Sequence, residues 1–335
     1  MAFAHKSAPF DDIRTLIANC PKADEEARTR AVMRQERIAL PSGELGRLAE
    51  LAVWIAGWQG GDLPHVERPL VAVFAASHQI VQAGVSRYSD DQARAMTNQV
   101  LHGTGAVNQI AEASGAGLKV FELALEQPTP DFTRQAALTE TECASTMAYA
   151  MQVLEDGPDV LCLGIVGAGA TTAAGAMALA LYGGTPAFWA NAGSAVDDSA
   201  MIAIKATMIG AAVDHHSGHL DDPLDVLRRL GGRDIAAATG AILAARHQRT
   251  PVVLDGFATC AAAAVLHRID PSSVTHCIAG SVTPRDSHRA LLDRLGMKPV
   301  LDLGLGLGDG SGAALAINVL RSAVACHNGL DTKTT

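Results

Sequence analysis

Hydrophobic positions change their period along the chain. Residues 10 to about 60 place apolar groups at helical spacing, in "DDIRTLIANC", in "DEEARTRAVMRQERIAL" and, after Pro41-Ser42-Gly43, in "ELGRLAELAVWIAGWQG". From "RPLVAVFAASH" onward, short flat apolar runs alternate with helical stretches. Val160 to Val166, "VLCLGIV", has no helical period and suits a strand buried on both faces of a parallel sheet. "TPVVLDG", "VTHCIAGSV" and "KPVLDLGLG" read as later strands, each followed by a helix. The punctuation agrees: Thr139 with Glu142 spells a capping box, Asp222-Pro223 opens the helix "LDVLRRL", and Gly231-Gly232 closes it. Such alternation predicts an α/β fold, a three-layer, Rossmann-like parallel sheet with helices on both faces, plus a smaller helical subdomain from the termini. The expected division is a helical arm or cap over 1–65, the α/β domain over 66–328, and a disordered tail over 329–335.

Composition narrows the function. With 335 residues and 48% hydrophobic content the chain can bury a large core, while a formal charge of −9 without a long Lys/Arg run argues against nucleic acid or an anionic membrane as the main partner. Cys20, Cys143, Cys162, Cys260, Cys277 and Cys326 form no C-x-x-C pair and read as reduced thiols. No apolar signal core opens the sequence and no run is long and apolar enough to span a bilayer, so a cytoplasmic protein is expected. His215 and His219 stand at i, i+4, but Gly218 and the helix start at Asp222-Pro223 place them in a loop, so no metal is expected.

The chemistry concentrates where the strand-like "VLCLGIV" runs into "GAGATT". Gly167 and Gly169 permit a tight turn and close backbone approach, Thr171 or Thr172 could cap the helix that ends at Gly183-Gly184, and the helix N-terminus presents N–H donors to an anion. The third glycine of a dinucleotide fingerprint would fall at Thr172, and no acidic ribose partner follows, which disfavours a nicotinamide-dependent oxidoreductase. No cofactor is expected. In open parallel sheets ligands collect beyond the C-terminal strand ends, which directs attention to four exits: "FAASHQI", "GIVGAGATT", "AGSVTPRDSH" and "LGLGLGDGSG".

At these exits, and in "GELGRL", "HLDDPLDVLRRLGGRDIAAATGAILAAR", "PVVLDGF" and "LGDGSGAALA", the chain resembles the nicotinate-nucleotide:dimethylbenzimidazole phosphoribosyltransferase family of cobalamin lower-ligand assembly, from about Pro9 to Asn328. The resemblance implies transfer of the ribose phosphate of nicotinate mononucleotide to a benzimidazole-like base. Where the family usually reads G-E-M-G-I-G-N-T-T, this chain has Gly164, Ile165, Val166, Gly167, Ala168, Gly169, Ala170, Thr171, Thr172. The family's C-terminal M-R-L-G-E-G, with its glutamate the expected general base, is matched by Leu305, Gly306, Leu307, Gly308, Asp309, Gly310. Asp309 keeps the carboxylate but retracts it by one methylene, roughly 1.5 Å, and a misplacement of about 1 Å can cost on the order of a hundredfold in rate.

The other exits differ from the family in the same sense. His78 alone survives in Ala76-Ser77-His78-Gln79-Ile80, and Ser281-Val282-Thr283-Pro284-Arg285-Asp286-Ser287-His288 replaces H-x-S-x-E-P-G-H. The family's glutamine pair falls on Arg94 and Ala95, while Ser86 matches. The resemblance thus implies Asp309 as catalytic residue; Gly167, Gly169, Ala170, Thr171, Thr172, Lys205, Asp255 and Thr283 toward phosphate and nucleotide; and His78 and Ser86 toward the base. It also implies a homodimer, to which Trp54 and Trp58 at i, i+4 could offer an apolar face, or pairing with an active paralogue. An enzyme with an altered site and a catalytically impaired nucleotide- or base-binding paralogue both fit these substitutions.

Overall fold

The computed structural model describes residues 8–333 apart from 42 and 193–197. Three helices come first, α1 (Pro9–Ala18), α2 (Glu25–Arg37) and α3 (Arg47–Gln59), before β1 (Pro69–Ala75), α4 (Asp90–Leu101), α5 (Ala106–Ala113) and β2 (Gly117–Glu122). Then come α6 (Glu140–Ala150), β3 (Val160–Val166), α7 (Ala170–Tyr182), α8 (Pro186–Ala190), α9 (Ser199–His215), α10 (Pro223–Val226) and α11 (Arg233–His247). β4 (Val252–Leu254), α12 (Gly256–Ile269), β5 (Cys277–Ala279), α13 (Asp286–Leu295) and α14 (Ser311–Gly329) complete the chain. The five strands are all parallel, in the order β2-β1-β3-β4-β5.

Strand alternation explains the three layers. Leu70, Ala72 and Phe74 of β1, Leu161 and Leu163 of β3 and Val252 and Leu254 of β4 enter one core, shared with α6, α7, α11 and α12. Val71 and Val73, Val160 and Cys162, and Val253 enter the other, shared with α3, α5 and α14. Both faces are covered, so the strands read as continuous apolar runs. The sense in which successive strands are added reverses between β1 and β3, where an open sheet of this order leaves a crevice at the C-terminal strand ends.

Four expectations need correction. The N-terminal helices form as expected, but not as one arm: Phe10, Ile13 and Ile17 of α1 join the core of α6, whereas Leu51, Ala52 and Ile55 of α3 join that of α14. Helical period identifies an apolar face but not which layer it meets. Trp54 and Trp58 cover their own chain: both indole N–H groups donate to the Thr275 carbonyl at 3.1 Å, and Trp58 lies beneath the Arg246 guanidinium at 4.2 Å. "KPVLDLGLG" is no strand; Leu301 alone bridges Ser281, because Gly304 and Gly308 adopt φ of 68° and 70° and turn the segment into a loop. The stretch from 329, read as a tail, begins as the last residue of α14 and continues as a bridge from Thr332 to Ile38. Ser42 and the last two residues lie outside the described residues.

Candidate active site

A cavity of about 520 Å³ opens beside that crevice, at the exits of β3 and β4. It is lined by Ile165 to Thr171, by Val85 to Tyr88, by Met96 and Val100 of α4, by Lys205, by Gly256 to Ala258, by Thr283 and by Gly306 to Asp309. Most of this wall is apolar. Among the described residues, three charged ones line it, the exposed Arg87 and the oppositely charged, largely buried Asp309 and Lys205.

The glycine loop is built by steric necessity. A Cβ at 167 would lie 2.2 Å from the Ala76 carbonyl oxygen, and one at 169 would lie 2.8 Å from Cβ of His78. Gly169, at φ 97°, is the N-cap of α7, and helical geometry starts at Ala170. The Thr172 amide returns to the Gly169 carbonyl at 2.9 Å, so Ala170 and Thr171 supply the first amides, which have no carbonyl of their own helix to bond. These N–H groups and the helix dipole favour an anion at the cavity wall. The threonine caps expected from the sequence do not form, because both residues lie inside the first turn. Thr171 lines the cavity; Thr172 is fully buried behind it, with no hydrogen-bond partner for its Oγ1 among the described residues.

Asp309 is placed by close backbone contact. The Ile165 N–H of β3 donates to the Gly308 carbonyl at 2.9 Å. Asp309 Oδ1 accepts the Ser311 amide at 3.0 Å, so the residue both caps the entry to α14 and lines the cavity. The functional and structural readings of this aspartate therefore coexist.

Two expected ligand contacts sit elsewhere. Asp255 does not line the cavity; it is buried and accepts Ser281 Oγ at 2.8 Å, the Gly310 amide at 2.9 Å and the Gly312 amide at 3.1 Å. Burial, then the nearby Asp309 charge, push its carboxyl up to about 6, against the lowering effect of those three donors. A carboxylate behind the wall is no phosphate ligand. His78 likewise lies under the glycine loop rather than against a base, its Nε2 2.9 Å from Asp234 Oδ2. Its ring is confined by Gly232, where a Cβ would stand 2.5 Å from His78 Cε1.

The remaining expectations divide. Ser86 lines the cavity while its Oγ accepts the Tyr88 amide at 3.1 Å. Thr283 lines it too, held by His288, whose Nδ1 accepts the Thr283 amide at 3.1 Å. Burial and then Arg289 push His288 down to about 4, so this histidine is neutral at pH 7 and serves as a brace. Arg94 turns to Glu126 at 3.0 Å instead of facing the cavity. Sequence reading missed Tyr88, Met96, Val100 and Phe257 as wall residues; the capping box Ser89 with Gln92, visible as "SDDQ", marks the helix that carries two of them.

A parallel α/β sheet with a glycine-loop helix start, a buried lysine and a carboxylate around one cavity at its strand exits is the arrangement of an α/β protein with a ligand pocket beyond the C-terminal strand ends. A model of a family described as phosphoribosyltransferase matches residues 20–335. The chain is 50% identical over 326 residues to the nicotinate-nucleotide–dimethylbenzimidazole phosphoribosyltransferase of Methylocella silvestris, covering 97% of this chain and 95% of that protein. It is 46% identical to the protein of the same name from Agrobacterium fabrum, covering 97% and 94%. The crystal structure of a nicotinate-nucleotide–dimethylbenzimidazole phosphoribosyltransferase from Thermus thermophilus superposes with a TM-score of 0.84 at 30% identity, covering 92% of this chain and 97% of that one. The chain belongs to the nicotinate-nucleotide–dimethylbenzimidazole phosphoribosyltransferase family.

Proposed function

We propose that this protein transfers the phosphoribosyl group of nicotinate mononucleotide to a benzimidazole-like base, with Asp309 as the base. The observation that carries the reading is that Asp309, Lys205 and the start of α7 line one cavity. The phosphate takes the Ala170 and Thr171 amides and Lys205, and the apolar wall formed by Met96, Val100, Tyr88 and Leu307 takes the aromatic acceptor. One acceptor nitrogen attacks the anomeric carbon; the bond from that carbon to the nicotinate nitrogen breaks and its electron pair returns to the pyridine ring. The acceptor's N–H proton passes to Asp309, whose Oδ1 is engaged by Ser311 and whose Oδ2 receives it. Cytoplasmic residence and a homodimer belong to this proposal through the family, not through the tryptophans.

Ile165 favours a second reading. It lines the cavity with an apolar side chain where the family usually has a carboxylate, which suits a catalytically impaired paralogue that binds nucleotide or base, alone or with an active subunit. Titration calorimetry with nicotinate mononucleotide, followed by mass spectrometry of a reaction with mixed azoles, separates the two. Transfer supports the enzyme, binding without any product supports the paralogue, and no binding at millimolar nucleotide removes the enzyme and the nucleotide-binding form of the paralogue.

A further inference from the structure

We infer that Asp255, which stands outside the cavity, is the positioning residue that fixes the turn carrying Asp309. This rests on the reading of Asp309 as the base. Asp255 is the N-cap of α12, yet its side chain makes no capping bond to that helix. An N-cap aspartate ordinarily accepts an amide of its own first turn. Here the carboxylate crosses to another helix, α14, whose N-cap is Gly310 and has no side chain to cap with. Oδ2 of Asp255 accepts both the Gly310 and Gly312 amides, on either side of Ser311 and immediately after Asp309. Ser281 holds Oδ1 from the exit of β5.

The packing is shaped around this crossing. A Cβ at Gly312 would lie 2.4 Å from Asp255 Oδ1 and 2.2 Å from Ser281 Oγ, so glycine is required where the carboxylate meets the helix. On the opposite side the turn rests on β3, with Ile165 donating to Gly308. The turn is therefore held at Gly308 from one strand and at Gly310 and Gly312 from Asp255, with Asp309 between the two attachments. A buried charge costs several kcal/mol unless it is compensated. The titratable groups facing Asp255 are Asp309, the Cys162 thiol of β3 and the Cys260 thiol of its own helix, and none is a cation. Capping alone would be met by a neutral serine at lower cost; a buried carboxylate gives two charge-assisted bonds to the backbone beside the base.

The test compares Asp255→Asn with Gly312→Ala, which displaces the carboxylate while leaving both aspartates in place. Both variants should lower kcat roughly tenfold or more while leaving KM for nicotinate mononucleotide within about twofold, because orientation of the base is lost and nucleotide binding is not. In Asp255→Asn, hydrogen exchange of peptides spanning 306–313 should accelerate while the rest of α14 keeps its protection. An unchanged kcat, a raised KM at unchanged kcat, or unaltered exchange in 306–313 would each overturn the inference. Should Asp255→Asn fail to fold, Ser281→Ala, which removes one hydrogen bond from the same carboxylate, must still show a smaller loss confined to kcat. If the wild type transfers nothing, the reading of Asp309 as base falls, and the exchange measurement still decides whether Asp255 holds the turn.

Discussion

The carbonyl of Asp309 rests on the α-carbon of Gly164: a Cβ at 164 would lie 2.1 Å from the Asp309 carbonyl carbon and 2.2 Å from its oxygen. The central strand thus supports the base-bearing turn by direct backbone contact, which only glycine permits. Gly164→Ala should displace the turn, costing about 1–3 kcal/mol in urea unfolding and removing most transfer activity. A variant with wild-type stability and turnover would show that the contact carries no constraint.

Asp309→Asn keeps the shape of the side chain and removes its basicity. Nucleotide affinity should stay within about threefold while transfer is lost. Asp309→Glu extends the carboxylate by roughly 1.5 Å and should raise transfer to dimethylbenzimidazole. Single-turnover measurements of product decide both; an inactive glutamate variant beside an active wild type would mean that reach does not limit the reaction.

Lys205 is only 4% exposed although its helix, α9, lies largely at the surface, and it faces the cavity with the start of α7. Lys205→Ala should weaken nicotinate mononucleotide binding roughly 10- to 100-fold, the worth of a charge-assisted contact, and should leave binding of the isolated base unchanged. Gly169→Val should abolish nucleotide binding, since its Cβ would meet His78 at 2.8 Å in a backbone conformation with φ 97°. Calorimetry with nucleotide and base separately checks both variants.

Asp255 also links stability to pH. Its carboxyl is raised in the fold to about 6 from an ordinary value of 3.8, so the folded state binds its proton more tightly than the unfolded chain. The resulting stability is fully present below about pH 4 and is lost as pH rises through about 6, up to roughly 3 kcal/mol for this group. Urea melts of wild type and Asp255→Asn should therefore differ by an amount that changes between pH 4 and 7, moving in favour of the asparagine variant as pH rises. A pH-independent difference would mean that the carboxyl is not raised.

The sequence disclosed those features that rest on local pattern. β3, the glycine loop, the Thr139 capping box and the parallel α/β alternation all arise from short-range periodicity and punctuation, and each stands where the pattern placed it. The edge strand β2 was not legible, because "GLKVFE" is half-exposed, with Lys119 in its middle, and lacks the flat apolar run of a central strand. Thr171 and Thr172 looked like caps because spacing alone does not reveal that Gly169 already holds the N-cap position.

Long-range pairings were the least visible. Nothing near His78 announces Asp234, 156 positions later, and nothing near Asp255 shows that its carboxylate will cap a helix that begins at Ser311. The family resemblance brought both His78 and Asp255 to attention but assigned them to the ligand. Burial assigns them instead to the support behind the cavity, since the residues that line a site and those that hold it can occupy neighbouring strand exits.

The central claim, that this cavity transfers phosphoribose with Asp309 as the base, is tested most directly by mass spectrometry of a quenched reaction of nicotinate mononucleotide with dimethylbenzimidazole, run with the wild type and with Asp309→Asn. The account predicts equal amounts of nicotinate and of the new riboside phosphate from the wild type, dependent on the added base, and neither from the asparagine variant. Bound nucleotide without acceptor-dependent nicotinate release, or equal release from both proteins, would contradict it.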